Sequence, residues 1–316
     1  MTAASTPVPA QAPAPGSRLR GAPSRRRNEG VIRAILLAAA IVSILISVGI
    51  VLSLVFEAIS FLSKIELSQL FADGWFPRRG QFSIPTLLAG TMIITVVAIA
   101  LAAPIGLASA IYLSEYASRR VRSVVKPILE ILAGIPSVVL GFFALTWISP
   151  NVVQAIFTDA KGFNLLAAGI GVGILTIPLV ASISEDAMRA VPQALREASY
   201  GLGSRRLGTS VKVVVPAAIS GIVAAMILAL SRAIGETMVV ALAAGATAGS
   251  LFTLNPLGPG QTLTGAMASL AAGSDQVTGN TAAFQSLFFV GLLLFLMTLG
   301  LNILGDTFVR RARQSY

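Results

Sequence analysis

Residues 192–216 read PQALREASYGLGSRRLGTSVKVVVP, and they join two long apolar stretches of the chain. A short amphipathic helix is expected to begin after Pro192, and Gly203 can end it in a left-handed conformation. A second short helix is expected to run up to Pro216. Two short helices joined at a glycine form a compact knob, which suits docking into a groove on a partner protein. The residues expected roughly on one face of the first helix are Ala194, Leu195, Ala198 and Leu202.

The composition of the whole chain is that of a membrane protein. Of its 316 residues, 55% are hydrophobic and only 11% are charged. A soluble fold of this size would need far more polar surface to cover its core. The chain contains no Cys and no His. It therefore lacks thiolate metal ligands, disulfides and the commonest general base, so we expect neither a cofactor nor an enzyme active site.

Six apolar stretches are long enough to cross a bilayer at about 1.5 Å per residue. They cover residues 34–56, 80–114, 131–158, 162–184, 213–249 and 282–305. The sequence thus predicts an all-α transmembrane protein with six helices. Residues 1–30, rich in Pro, Ala, Ser and Arg, are expected to form a disordered basic tail. The remaining predicted divisions are a first helix with its outer loop (31–79), a transmembrane core (80–310) and a short terminal tail (311–316).

The basic residues alternate between the two ends of the predicted helices. Eighteen of the 23 Lys and Arg residues lie before the first helix, in the second and fourth connections, or after the sixth helix. Only four lie in the other connections, and Arg232 lies inside the fifth stretch. Because cytoplasmic loops carry the excess of Lys and Arg, both termini are predicted to face the cytoplasm. The positive charge is interpreted as a topology signal rather than as a nucleic-acid surface.

The knob resembles the EAA loop of ABC importer permeases. The family pattern is Glu-Ala-Ala, three residues, Gly, nine residues and Ile-x-Leu-Pro; it aligns with Glu197-Ala198-Ser199, Gly203 and Val213-x-Val215-Pro216. The departures, Ser for Ala and Val for Ile and Leu, are mild. The resemblance implies a type I importer core and a coupling loop at about residues 185–216 that sits in an ATP-binding subunit.

The chain itself lacks the usual ATP-binding loop. A P-loop requires a Lys directly after a Gly. None of Lys64, Lys126, Lys161 and Lys212 follows a glycine. ATP hydrolysis is therefore expected to reside in a separate polypeptide.

The fifth apolar stretch carries two charged residues, Arg232 and Glu236. Their spacing of four residues would place them on one face of a continuous helix. A charge inside a membrane helix costs on the order of 2.5–3.5 kcal/mol, so such residues usually face a bundle interior or an aqueous path. Two readings stay open: a static ion pair that only positions the helix, or an anion contact on a transport path.

The segment Arg232-Ala-Ile-Gly-Glu236-Thr237-Met238 also resembles the signature of phosphate-specific ABC permeases, in the form found in the PstC type. Similar segments are 103–106, 111–116 and 134–141. This resemblance implies Arg232, Glu236 and Thr237 as path residues. It implies as partners a PstA-like second permease, two PstB-like ATP-binding subunits and a PstS-like phosphate-binding protein outside a bacterial inner membrane.

Alternatives remain at the sequence level. The substrate could be another oxyanion or solute, and an ion-coupled secondary transporter would use Arg232 and Glu236 as its coupling pair. The outer segments 57–79 and 250–281 are either solvated connections, with an interfacial piece at Gln261–Ala272, or a docking surface for the binding protein. The sequence does not choose between them.

Overall fold

The computed structural model describes residues 23–245, 249–272 and 281–312. The chain divides into two compact units, Met1–Leu52 and Ser53–Tyr316. The long helices are α1 (Pro23–Lys64), α2 (Ile84–Ile111), α3 (Arg119–Ala133), α6 (Leu165–Arg189), α10 (Ile219–Ile234) and α13 (Ala282–Ala312). The shorter helices are α4 (Ser137–Phe143), α5 (Gln154–Ile156), α7 (Gln193–Gly201), α8 (Arg206–Thr209), α9 (Val215–Ala217), α11 (Met238–Ala243) and α12 (Leu263–Ala271). The strands are β1 (Gly74–Phe76), β2 (Gln81–Phe82) and β3 (Ser250–Leu251).

The number of membrane spans agrees with the prediction. In the described ranges, five helical segments are long and apolar enough to cross a bilayer: Glu29–Lys64, Ile84–Tyr116, Ser137–Ile156, Leu165–Arg189 and Ala282–Arg311. A sixth is obtained when Arg206–Ala217 and Ile219–Ile234, which meet at 70°, are counted as one broken span. The bend lies at Ala218, whose φ of −90° and ψ of 2° end α9 before α10 begins.

The N-terminal boundary differs from the prediction. Helix α1 starts at Pro23, so residues 23–30 of the predicted tail are helical. Residues 1–22 lie outside the described part of the chain. The third span also starts later than expected, at Ser137 rather than 131, because Pro136 caps α4 and separates it from α3. Helix α3 is a distinct amphipathic helix that the prediction treated as a connection.

Helices α2 and α6 form the centre of the second unit, and glycines allow their close approach. A Cβ added to Gly106 would lie 2.7 Å from Val180, and one added to Gly169 would lie 2.7 Å from Val97. Small residues at such contacts are typical of membrane helix pairs, where dispersion contacts rather than water drive packing. Only glycine therefore fits at these positions of the α2–α6 interface.

The outer segments are more ordered than a solvated connection. Strand β1 pairs antiparallel with β2 and with β3, so that Trp75 lies opposite both Phe82 and Ser250. The indole of Trp75 is buried against Phe82. The small sheet thus joins the two outer segments that flank α2 and α12.

The predicted interfacial piece at Gln261–Ala272 is wrong for most of its length. Gln261, Thr262, Leu263 and Ala266 are almost fully buried. A Cβ added to Gly90 of α2 would meet the carbonyl of Gln261 at 2.2 Å. Helix α12 is therefore packed inside the second unit, because its small residues let it fit between longer helices.

Candidate functional site

The coupling loop has the predicted form of two short helices joined at a glycine. Helix α7 ends at Gly201, and Gly203 adopts a φ of +79°. Its amide donates to the carbonyl of Tyr200 at 2.9 Å, and the next amide donates to the carbonyl of Ser199 at 3.1 Å. These bonds satisfy the end of the helix in the usual left-handed cap. The chain then continues through α8 to Pro216, which lies in the first turn of α9.

The substitution of Ser for the second Ala of the family pattern has a structural role. Ser199 is buried, and its hydroxyl lies 2.9 Å from the hydroxyl of Thr209 in α8. This contact spans the glycine turn. A buried hydroxyl pair is stable here because each hydroxyl supplies the other with a partner. The two helices of the loop are therefore fixed to each other.

One side of the coupling loop exposes apolar side chains. Leu202 is 89% exposed and Leu207 is 64% exposed. Glu197 and Ala198 are exposed beside them, whereas Leu195 packs against the bundle. The expectation that Leu195 shares a face with the exposed residues is therefore wrong. Exposed large apolar side chains near charged ones are typical of a protein interface.

The root of the loop is held by an ion pair that the sequence did not reveal. Arg196 donates to Glu115 Oε1 at 3.0 Å, and both side chains are nearly buried. The same guanidinium donates to the carbonyls of Met188 and Val191 at 2.8 and 2.7 Å. These contacts join α7 to the ends of α2 and α6. Any movement of α7 must therefore move or break a bond to the transmembrane bundle.

A second charge cluster lies at the same end of the bundle. The carboxylate of Glu185 is fully buried and pairs with Arg122 at 2.7 Å and Lys126 at 2.9 Å. Lys126 also contacts Asp186. Burial lowers the pKa of the Lys126 ammonium, but its hydrogen bonds to Asp186 and Glu185 outweigh burial and raise the pKa above its usual range. These ion pairs hold α3 against α6.

The fifth span does not carry Arg232 and Glu236 on one helix face. Helix α10 ends at Ile234, and Gly235 caps it. Glu236 lies in the break, where its Oε1 accepts from the amides of Met238 and Val239 at 3.2 and 3.4 Å. Of the two readings, the static ion pair with Arg232 is absent among the described residues, because Glu236 caps α11 instead.

Arg232 is left without a compensating charge. Its side chain is exposed, and within the described part of the chain it forms no hydrogen bond or ion pair. Thr237, half-buried in the same break, donates to the carbonyl of Gly235 at 3.3 Å. Next to Arg232, the hydroxyl of Ser231 donates to Asn302 of α13 at 3.0 Å. The break therefore exposes one free guanidinium beside a short row of polar groups.

Helix α12 forms a hydrogen bond to the backbone at the break. The hydroxyl of Thr264 donates to the carbonyl of Glu236 at 2.8 Å. The amide of Leu263 donates to the hydroxyl of Thr91 in α2 at 3.1 Å. Backbone groups released by a broken helix need such partners inside an apolar span. This buried helix thus satisfies backbone groups at the candidate path.

Comparison with known proteins identifies the family. The model of the binding-protein-dependent transport system inner membrane component family matches residues 102–314, which include the coupling loop and the broken span. The chain belongs to this family. The permease is 35% identical to the probable ABC transporter permease protein YqgH of Bacillus subtilis, over 77% of this chain and 84% of that protein.

Two further comparisons describe the permease. It is 31% identical to the phosphate transport system permease protein PstC of Mesorhizobium japonicum, over 86% of each chain. A crystal structure of a bacterial alginate ABC transporter with its alginate-bound periplasmic protein matches with a TM-score of 0.64 at 14% identity, over 92% of this chain and 98% of that one. That likeness shows the shared fold. By its family and its apolar helices, the permease is a multi-pass inner-membrane component of a binding-protein-dependent transport system.

Proposed function

We propose that this permease is the PstC-type membrane subunit of an ATP-driven importer of inorganic phosphate. Its relatives include proteins named as phosphate permeases, which supports the substrate. The observation that carries the proposal is the unpaired guanidinium of Arg232 at the break of the fifth span. An importer of an anion through an apolar bundle needs a cation of this kind on its path.

Arg232 lies about 20 Å along α10 from Ile219, at about 1.5 Å per residue, in the last turn of the broken span. Leaving a charge there uncompensated is costly, unless it faces water or a partner surface. A guanidinium offers paired donors that match two phosphate oxygens. Glu236 is turned away toward α11, so it does not compete for these donors. Arg232 is thus free to contact a passing phosphate.

Glu236 and Thr237 shape this contact point rather than neutralise it. The carboxylate of Glu236 holds the first amides of α11, which fixes the break. Its negative charge lies four residues after Arg232 in the chain and limits how tightly an anion is held. A conduction site must be weak enough for the ion to leave. Arg232 therefore binds the entering phosphate, and Glu236 helps the phosphate to leave.

The exposed side of the coupling loop docks on the ATPase. Glu197 and Ala198, with the neighbouring leucines, form the exposed surface, and Ser199, Gly203 and Pro216 set its shape. Two PstB-like subunits hydrolyse the ATP, a PstA-like permease completes the path, and a PstS-like binding protein delivers phosphate from outside. The charge distribution supports cytoplasmic termini. In this arrangement the permease is not itself an enzyme.

Reconstitution tests the proposal. The permease is combined in proteoliposomes with its partner permease, ATPase and binding protein, and uptake of labelled phosphate and sulfate is measured. We expect ATP-dependent phosphate uptake that a protonophore leaves unchanged, with little sulfate uptake. Phosphate uptake that survives without ATP and collapses with a protonophore would indicate a secondary transporter. ATP-driven sulfate uptake in preference to phosphate would show another oxyanion as the substrate.

A further inference from the structure

A second cationic site lies at the coupling-loop end of the bundle, away from the broken span. A cavity of about 340 Å³ opens there between the ends of α2 and α6 on one side and helices α7 and α8 on the other. Its walls carry three guanidinium groups and one carboxylate. The side chains used below are Glu115, Arg189, Gln193, Arg196, Tyr200 and Arg206.

The positive charge of this cavity is only partly balanced. Glu115 is already bound by Arg196, whose other donors go to backbone carbonyls. Arg189 is 4.0 Å from Glu185, which two closer cations already neutralise. Arg206 lies over the ring of Tyr116 at 5.3 Å and has no carboxylate partner among the described residues. Two guanidinium groups therefore remain available to an anion.

The other polar groups of the cavity are donors that suit an oxyanion. The amide of Gln193 and the hydroxyl of Tyr200 form no side-chain hydrogen bond within the described ranges. Guanidinium and amide groups bind phosphate oxygens through charge-assisted and neutral hydrogen bonds. A volume of about 340 Å³ admits a tetrahedral oxyanion together with some of its water. A cation is disfavoured by the excess positive charge.

The cavity lies on the side of α7 opposite to Ala198 of the docking surface. Gln193, Arg196 and Tyr200 are spaced three and four residues apart, so they lie on one helix face. Glu197 borders this face, since it is four residues from Gln193 and three from Tyr200, whereas Ala198 lies on the opposite side of the helix. An anion can therefore enter the cavity while Ala198 faces the ATPase.

We propose that this cavity binds inorganic phosphate on the coupling-loop side of the membrane and thereby slows transport. The assignment of phosphate, rather than oxyanions in general, rests on the proposed function. The bound anion bridges Arg189 on α6 and Arg206 on α8, so it ties the coupling loop to the bundle. Since the imported phosphate is released on this side, the site lets accumulated product restrain its own import.

A labelling experiment tests binding without requiring transport. The chain has no native Cys, so Gln193→Cys places one thiol in the cavity wall. The assembled complex, in nanodiscs without ATP, is treated with N-ethylmaleimide at rising phosphate and constant ionic strength. We expect phosphate to slow the reaction several-fold, whereas Ser204→Cys, exposed outside the cavity, should react at a constant rate. Equal slowing at both positions would overturn the site.

The arginines and the anion source are tested in the same background. Arg189→Gln with Arg206→Gln should abolish the protection, whereas Arg205→Gln with Lys212→Gln, an equal loss of charge outside the cavity wall, should leave it intact. Protection that survives the double change would contradict the assignment. Nanodiscs with and without anionic lipid separate free phosphate from lipid phosphate. Protection that appears only with anionic lipid would also overturn the proposal.

The effect on transport is measured in proteoliposomes whose ATPases face outward. External phosphate at millimolar concentration should slow ATP-driven efflux of labelled phosphate at least twofold in the unmodified complex. In the Arg189→Gln, Arg206→Gln double variant, the efflux rate should be the same with and without external phosphate. Identical slowing in both complexes would refute the regulatory role. If phosphate protects the cavity in a complex that does not transport phosphate, the proposed function would be overturned and the cavity would remain an oxyanion site.

Discussion

Replacing Arg196 with Ala should release the coupling loop from the transmembrane bundle. The change removes the 3.0 Å ion pair to Glu115 and the bonds to two carbonyls at the end of α6. Glu115 would remain nearly buried without its partner. Removing one partner of a buried pair typically costs about 3–5 kcal/mol. We expect the local stability of the loop to fall by this amount.

Hydrogen exchange measures this loss directly. In the purified complex, the amides of residues 193–204 should exchange about a hundredfold faster or more in Arg196→Ala, since each 1.4 kcal/mol corresponds to a factor of ten. The affinity for the ATPase should fall with it, because the docking surface is no longer held in place. Helices α2 and α6 should keep their protection away from the contact.

The double change Arg196→Ala with Glu115→Ala isolates the pair from the backbone contacts. It should be less damaging than the sum of the two single changes, because no unpaired carboxylate remains. Unchanged exchange in residues 193–204 of the single variant would refute the reasoning. Strict additivity in the double variant would show that Glu115 and Arg196 act independently.

Three further predictions concern the loop, the topology and the packing of the path. Gly203→Ala, at a φ of +79°, should destabilise the loop by about 1–2 kcal/mol and weaken ATPase binding, whereas Gly201→Ala, helical and with free space around it, should be neutral or stabilising in the same binding titration. With no native Cys as background, Ser204→Cys should react with an impermeant maleimide only from the cytoplasmic side and Ser68→Cys only from outside; the reverse pattern would overturn the topology. Gly90→Ala should impair folding and assembly, since its Cβ would lie 2.2 Å from the carbonyl of Gln261, and a normally assembled variant would contradict the close packing of α12.

The coupling loop could be predicted because its signals are local. Pro192 sets the start of α7, and Gly203 supplies the left-handed cap within a few residues of it. The ion pair between Arg196 and Glu115 gave no such signal, because 81 residues separate its partners. Ser199 is a departure from the family pattern, and its contact with Thr209 forms only when the glycine turn brings α7 and α8 together.

The path was predicted in its residues but not in its geometry. Arg232 is a charge in an apolar stretch, and its spacing to Glu236 places both on one face only if the helix is continuous. Gly235 interrupts that helix, and Glu236 then finds two backbone amides nearer than Arg232. Capping a helix satisfies donors that an apolar span would otherwise leave unpaired. Gly235 directly before Glu236 was the signal that could have predicted the break.

The burial of α12 could not be predicted from its amino-acid composition either. Its sequence is small and weakly polar, which fits a membrane surface as well as a buried position. Helix α12 can pack inside the unit because Gly90 on α2 leaves room for the backbone of Gln261. This contact joins segments about half the chain apart, so no local pattern reports it.

Transport by variants of Arg232 tests the central claim most directly. Phosphate uptake is measured in proteoliposomes that contain equal amounts of assembled complex, for Arg232→Gln and for Arg120→Gln, which removes an exposed cation from α3. Losing one charged contact worth about 2 kcal/mol or more predicts at least about a thirtyfold fall in uptake for Arg232→Gln. Arg120→Gln should transport normally. Near-normal uptake by assembled Arg232→Gln would contradict the role of this arginine as the phosphate contact.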